Sequence, residues 1–208
     1  MSEAKLTVCG DSCAEGRGGT VRPDGSFAGF VAQMAEVLGI SDGVVNLGSF
    51  GATTQDVVDH QLPTALRNPA PLMGVIVGGN DLVTDYQRDR FQRNLRHIFT
   101  SLVQPGRLVF TTNWPSIPDR LPGIPDAHRV VLRGRFAEAN EFFAELVQEL
   151  GVICLDMVNA PISADPAMWS ADGMHPSSAG HKAIGTAMAD LTDEASAFRI
   201  QPTTSATL

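Results

Sequence analysis

Cysteine is scarce in this chain. Cys9, Cys13 and Cys154 are odd in number and form neither a CxxC pair nor a zinc-ligand spacing. Cys9 and Cys154 lie in apolar, strand-like runs and read as buried reduced thiols. Clusters of Lys and Arg are missing as well. With a formal net charge of −8, no nucleic-acid surface is expected, and the acidic balance mainly means solubility. No apolar signal region precedes the first strand, and no stretch approaches a membrane span, so a cytoplasmic protein without a membrane partner is expected. The chain has no G-x-x-x-x-G-K-[ST] loop, no dinucleotide fingerprint after its first strand and no metal-ligand spacing. Neither a cofactor nor a metal is therefore expected. The G-x-S-x-G elbow is absent too, because the only comparable turn reads Gly10-Asp-Ser-Cys-Ala14 and lies near the N-terminus.

What is present is an ordinary globular balance, with 43% hydrophobic and 18% charged residues in 208. That length suits one sizeable core, expected as a single domain over residues 1–196 with a flexible tail at 197–208. Strand-like and helix-like patterns alternate along it. Strands are expected at Leu6–Cys9, Val44–Leu47, Leu72–Val77, Arg107–Thr111 and Val152–Leu155. Helical spacing predicts helices over Phe27–Leu38, from Thr53 or Thr54 to Pro63, over Asp85–Leu102 and over Arg129–Leu150. A last helix is expected from Pro176 to about Leu191. The proline-rich segment Asn113–Ala127 reads as a long loop, functional or mobile. Five strands alternating with five helices, without repeats or a linker, predict an α/β fold: a three-layer α/β/α sandwich on a five-stranded parallel sheet.

Sites in such sheets lie beyond the carboxyl ends of the strands. Ser12, Gly51 and Asn80 each fall a few residues after a predicted strand, and Asp172 and His175 fall in the loop after the last one. One edge would thus hold a hydroxyl, an imidazole, a carboxylate three residues from it, and donors for a developing negative charge. That is the equipment of acyl transfer to serine. Singly each residue has a plainer reading: Ser12 as a turn or cap, Asp81 as a helix cap, Gly48 and Gly51 as loop glycines. His181 reads as a packing residue rather than a second base, and His60, His97 and His128 as surface or loop residues.

Taken together, Gly10-Asp-Ser-Cys13, Asn46–Gly51, Gly78-Gly-Asn-Asp81 and Asp172-Gly-Met-His-Pro176 resemble the ordered blocks of the SGNH hydrolases, the GDSL-type esterases and lipases. The resemblance runs from about Leu6 to Leu191 and departs at Cys13, where leucine or another apolar residue is usual. Within that family, Gly16–Phe30 and Trp169–His181 look most like soluble actinobacterial members. The resemblance implies a flavodoxin-like sandwich with strand order 2-1-3-4-5. It also implies Ser12 as nucleophile, His175 as base, Asp172 as its orienting partner, and Ser12, Gly51 and Asn80 as the oxyanion hole. The expected reaction is hydrolysis of a small acyl or acetyl ester through a covalent acyl-enzyme. Two alternatives remain open at this point, an acyltransferase using the same residues and a non-catalytic binding protein.

Overall fold

The computed structural model describes residues 4–200. The strands among them are β1 (Leu6–Gly10), β2 (Thr20–Val21), β3 (Phe27–Ala28), β4 (Val44–Asn46), β5 (Leu72–Ile76), β6 (Leu108–Thr112) and β7 (Ile153–Leu155). Five of them form one parallel sheet in the order β4-β1-β5-β6-β7, which is 2-1-3-4-5 when its members are numbered along the chain. The register sets Val8 of β1 between Asn46 of β4 and Gly74 of β5.

The helices are α1 (Ser12–Glu15), α2 (Phe30–Val37), α3 (Thr54–Asp56), α4 (Leu62–Arg67), α5 (Gly79–Val83) and α6 (Arg88–Leu102). They continue with α7 (Ile117–Arg120), α8 (Asp126–Leu150), α9 (Pro161–Ala164) and α10 (Ser178–Ile200).

Apolar strands without polar alternation bury both faces, and the sheet divides the core accordingly. Cys9, Met73, Val75 and Val109 face a layer with Phe91, Phe99, Trp114 and Phe143 of the α6 and α8 side. Leu6, Val8, Ile76 and Phe110 face Phe30, Met34 and Met188 of α2 and α10. Each fully buried Leu, Phe or Met contributes about 1.5–3 kcal/mol of transfer free energy, so the sheet holds its edge loops on a stiff base.

The departures from expectation are local. Phe27 does not begin a helix: Thr20–Val21 and Phe27–Ala28 pair as an antiparallel hairpin, and α2 starts only after Gly29. Pro63 does not end the second helix. A π-helical segment, Val57–Gln61, directly precedes α4, and the helix runs on through Pro63, the second residue of α4, to Arg67. Asp81 does not cap the helix expected from Asp85; it lies in the separate short helix α5 and accepts from Thr54. The Asn113–Ala127 loop contains α7, and α8 begins at Asp126, three residues earlier than Arg129. Pro176 pairs with Trp169 as an isolated bridge, and α10 starts two residues later. That helix continues to Ile200, past the expected start of the tail; residues 201–208 of that tail lie outside the described residues.

Candidate active site

β1 is the second strand of the sheet, and at its carboxyl end the chain turns sharply into α1. Asp11 caps that helix, its side chain accepting from the Cys13 N–H at 2.9 Å. Ser12 is therefore the first residue of the helix, held at the sheet edge and 3% exposed. Its hydroxyl lies 2.7 Å from His175 Nε2. The other imidazole nitrogen, Nδ1, lies 2.7 Å from Asp172 Oδ2. With Nδ1–H donated to a carboxylate, Nε2 is the acceptor for the Ser12 hydroxyl proton.

The turn that carries these two residues is fixed by Asp172 itself. Asp172 Oδ1 accepts from the N–H groups of Met174 and His175 at 2.9 and 3.0 Å and from the Ser170 hydroxyl at 2.8 Å. Burial alone would raise its pKa. The hydrogen bonds from His175, Met174 and Ser170 outweigh that and hold the carboxyl well below the usual range, so it is ionised wherever a neutral imidazole is.

Asn80 sits in α5 after the left-handed Gly78. Its Nδ2 donates to the Ala52 carbonyl at 2.9 Å, which uses one of two amide hydrogens and leaves the other for an acceptor in the site. Asp81 beside it accepts from the Thr54 N–H and hydroxyl at 2.9 and 2.7 Å, tying α5 to α3.

Ser12 and Asn80 share a cavity of about 70 Å³ with Trp114, Ile117, Trp169 and Met174. The expected site residues thus divide. Ser12, His175 and Asp172 are joined in one chain of hydrogen bonds, Asn80 opens on the same cavity, and Gly51 does not line it. Gly51 follows the exposed Phe50 and connects to the site through Ala52, whose carbonyl holds Asn80. A larger cavity of about 430 Å³ lies on the other side of α1, between the β2–β3 hairpin, α2 and β4, and touches neither Ser12 nor His175.

Cys13 also lines the smaller cavity. Burial, with the nearby Asp11 and Asp172 carboxyls, pushes its thiol well up, so it stays protonated and is no rival nucleophile. His181 is fully buried in α10. Its Nδ1 accepts from the Phe30 N–H at 3.1 Å and its Nε2 donates to the Arg17 carbonyl at 2.9 Å, which occupies both nitrogens in packing. Among the described residues no group of three His, Cys, Asp or Glu side chains could hold a metal ion, and no helix is long and apolar enough to cross a membrane.

Three supporting residues were not legible as such in the sequence. Gln61 bonds the backbone of Gly10; Asp81 ties α5 to α3; Arg120 donates to the Gly173 carbonyl and lies 3.6 Å over the Trp169 ring. A lone Gln inside a helical pattern and an Arg in a loop carry no periodic or motif signal. Asp81, inside Gly78–Asp81, reads in the sequence as a helix cap, and only its partner in α3 was out of reach.

Residues 8–183 match the GDSL-like Lipase/Acylhydrolase family. No curated protein matches the chain. Among solved structures, a G-D-S-L family protein from Desulfitobacterium hafniense is similar at 18% identity and a TM-score of 0.71, over 91% of this chain and 99% of that one. The lipase/acylhydrolase of Enterococcus faecalis is similar at 19% identity and a TM-score of 0.70, over 92% and 96%. Axe2, an acetylxylan esterase from Geobacillus stearothermophilus, is similar at 21% identity and a TM-score of 0.66, over 92% and 94%.

Proposed function

The chain belongs to the GDSL-like lipase/acylhydrolase family and is a carboxylic ester hydrolase, and from that premise we propose that it cleaves short-chain acyl esters, acetyl esters above all, through an acyl-enzyme on Ser12. The observation that carries this reading is the Asp172–His175–Ser12 chain of 2.7 Å hydrogen bonds opening on a small apolar cavity.

Ser12 Oγ attacks the ester carbonyl carbon as His175 Nε2 takes the hydroxyl proton, and Asp172 stabilises the imidazolium that results. The carbonyl oxygen, now negative, is met by the free Nδ2–H of Asn80 and the Ser12 N–H at the start of α1. Collapse expels the alcohol, which leaves with the proton from His175. Water then attacks the acyl-Ser12 carbonyl with His175 again as base, releasing the carboxylic acid and restoring the serine.

Cavity size points to the acyl length. A water-sized group takes about 10–15 Å³ of such volume, so about 70 Å³ accepts roughly five to seven of them. That suits acyl groups from acetyl up to about six carbons and is too small for octanoyl, and the acetylxylan esterase among the similar structures lies at the short end of that range. Hydrolysis of p-nitrophenyl acetate, butyrate and octanoate by the wild type and by Ser12→Ala tests the reading. Turnover is expected to fall from acetate to octanoate, and the alanine variant is expected to drop to background. Equal activity of wild type and Ser12→Ala would remove Ser12 as nucleophile; a preference for octanoate would remove the short-chain assignment.

A further inference from the structure

Gln61 is a buried polar side chain, 7% exposed, that takes no part in the Ser–His–Asp chain. Its amide makes a two-point contact with one backbone residue. Gln61 Oε1 accepts from the Gly10 N–H at 2.7 Å, and Nε2 donates to the Gly10 carbonyl at 2.9 Å. The second Nε2 hydrogen reaches Ser49 Oγ at 3.3 Å.

The reason for this contact lies in the sheet. β4 pairs with β1 only as far as Val8 opposite Asn46, and beyond that the chain leaves toward Gly51. Only the Ser49 N–H still reaches the Gly10 carbonyl, at 3.2 Å, so the Gly10 N–H is left without a strand partner. A planar amide offering one acceptor and one donor is the equivalent of the peptide group that β4 lacks there. On the other side, β5 closes in: Asp11 N–H donates to the Ile76 carbonyl at 2.9 Å, and a Cβ on Gly10 would stand 2.1 Å from that same oxygen. Gly10 is thus held from both sides, two residues before the hydroxyl that must attack.

The π-helical segment explains how Gln61 arrives. Its wider turn, closed by the Leu62 N–H on the Val57 carbonyl, inserts one residue and rotates the downstream side chains by about 100°. Val57 and Leu62 stay in the core while Gln61 faces the end of β1.

We propose that Gln61 is a positioning residue for the nucleophile: its carboxamide replaces the missing peptide of β4 opposite Gly10 and fixes the turn that aims Ser12 at the substrate. The inference rests on the reading of Ser12 as nucleophile. It acts on chemistry rather than binding, because a nucleophile misplaced by about 1 Å loses about a hundredfold in rate without losing its substrate contacts.

Gln61→Met and Gln61→Glu test it, with kcat and KM on p-nitrophenyl acetate, the rate of inactivation by a fluorophosphonate, and Tm as readouts. Met has the length of Gln and no hydrogen bonds. In that variant kcat and the inactivation rate should both fall by about 10- to 100-fold with KM within about twofold. A protonated Glu carries the same donor and acceptor as the amide, whereas an ionised one repels the Gly10 carbonyl. The ratio of Gln61→Glu to wild-type kcat should therefore climb as pH is lowered, while the Gln61→Met ratio stays flat. A lower Tm with kcat and inactivation rate unchanged would show a merely structural residue and overturn the proposal, and so would a Gln61→Glu ratio independent of pH. Failure of the wild type to be labelled, or equal labelling of Ser12→Ala, would instead strike the nucleophile itself.

Discussion

Replacing Asp11 by Asn should make the protein more stable, but only above a certain pH. The Asp11 carboxyl is 6% exposed beside Ser12 and lines the same cavity. Burial pushes its pKa up to about 7, and the nearby Asp81 carboxyl adds to the rise, against the hydrogen bond from the Cys13 N–H. In the unfolded chain an Asp titrates near 3.9. Because the folded value is the higher one, the folded chain keeps a proton between about pH 4 and 7 that the unfolded chain has released. The contribution to stability is complete below about pH 4 and declines as pH rises, until the folded group has also ionised near pH 7. A gap of about three pK units corresponds to about 4 kcal/mol. Asn keeps an oxygen for the Cys13 N–H and cannot ionise. Urea unfolding at pH 4 and pH 8 should show Asp11→Asn more stable than wild type by up to about 4 kcal/mol at pH 8 and no more stable at pH 4. Activity should follow, since a carboxylate formed beside the cavity opposes the negative charge of the transition state. Wild-type kcat should decline above about pH 7 relative to that of the variant. A variant equally or less stable at pH 8 would mean that Asp11 is ionised in the fold and works as a charged helix cap, and the burial argument would be refuted.

Two further substitutions probe the other end of the site. Asp172→Asn removes the charge 2.7 Å from His175 Nδ1 and offers a donor where an acceptor stood, which favours the wrong imidazole tautomer. Charges about 4 Å apart interact by about 1 kcal/mol in water and about 4 kcal/mol in a partly buried setting, so kcat should fall by about 10- to 1,000-fold, with KM little changed in steady-state assays. Arg120→Met removes the 3.3 Å bond from Nε to the Gly173 carbonyl and the stacking on Trp169. The Arg120 carbonyl already occupies the space where a side chain on Gly173 would go, so the loop remains docked while the turn carrying Asp172 and His175 loosens. A fall of about tenfold in kcat is expected, read from the same ester assay; unchanged kcat would show that the Asp172 hydrogen bonds alone fix that turn.

The layered fold was legible because the strands are apolar on both faces and the long helices keep one apolar stripe, as in Phe91, Leu95, Ile98 and Phe99 of α6. Ser12, Asn80, Asp172 and His175 were legible for a different reason. Ser12 and Asn80 stand just past the carboxyl ends of β1 and β5, Asp172 and His175 lie on the long connection from β7 to α10, and the residue types belong together chemically. What could not be read were features decided by long-range contact. The β2–β3 hairpin involves only two residues on each side, too few for a period-2 pattern. The π-helical segment brings Gln61 to Gly10, fifty-one residues away in sequence, and no local period announces such a contact. Asp81 looks like a helix cap by local chemistry, and only the position of Thr54 shows that its partner is another helix. Gly51 has the positive φ of 75° suited to a turn, yet its placement relative to the cavity depends on how the whole loop from Leu47 folds back.

The groups around Ser12 are in contact before any substrate arrives. Gln61 holds the turn before it, Asp172 holds His175, and Asp81 with Asn80 joins α5 to the α3 region. A site assembled in this way needs little rearrangement to reach its transition state, and selectivity then falls to the walls of the cavity. Those walls come largely from loops: Trp114 and Ile117 from the proline-rich segment, Trp169 and Met174 from the segment before α10. Trp169 belongs to both systems, since it lines the cavity and carries the Arg120 guanidinium that steadies the Gly173 turn. Met174 does the same, lining the cavity while its N–H donates to Asp172, so a change that widens the cavity at Trp169 or Met174 also loosens the base. Enlargement from the Ile117 side carries no such penalty, because Ile117 touches the cavity without bonding to the turn that holds the base.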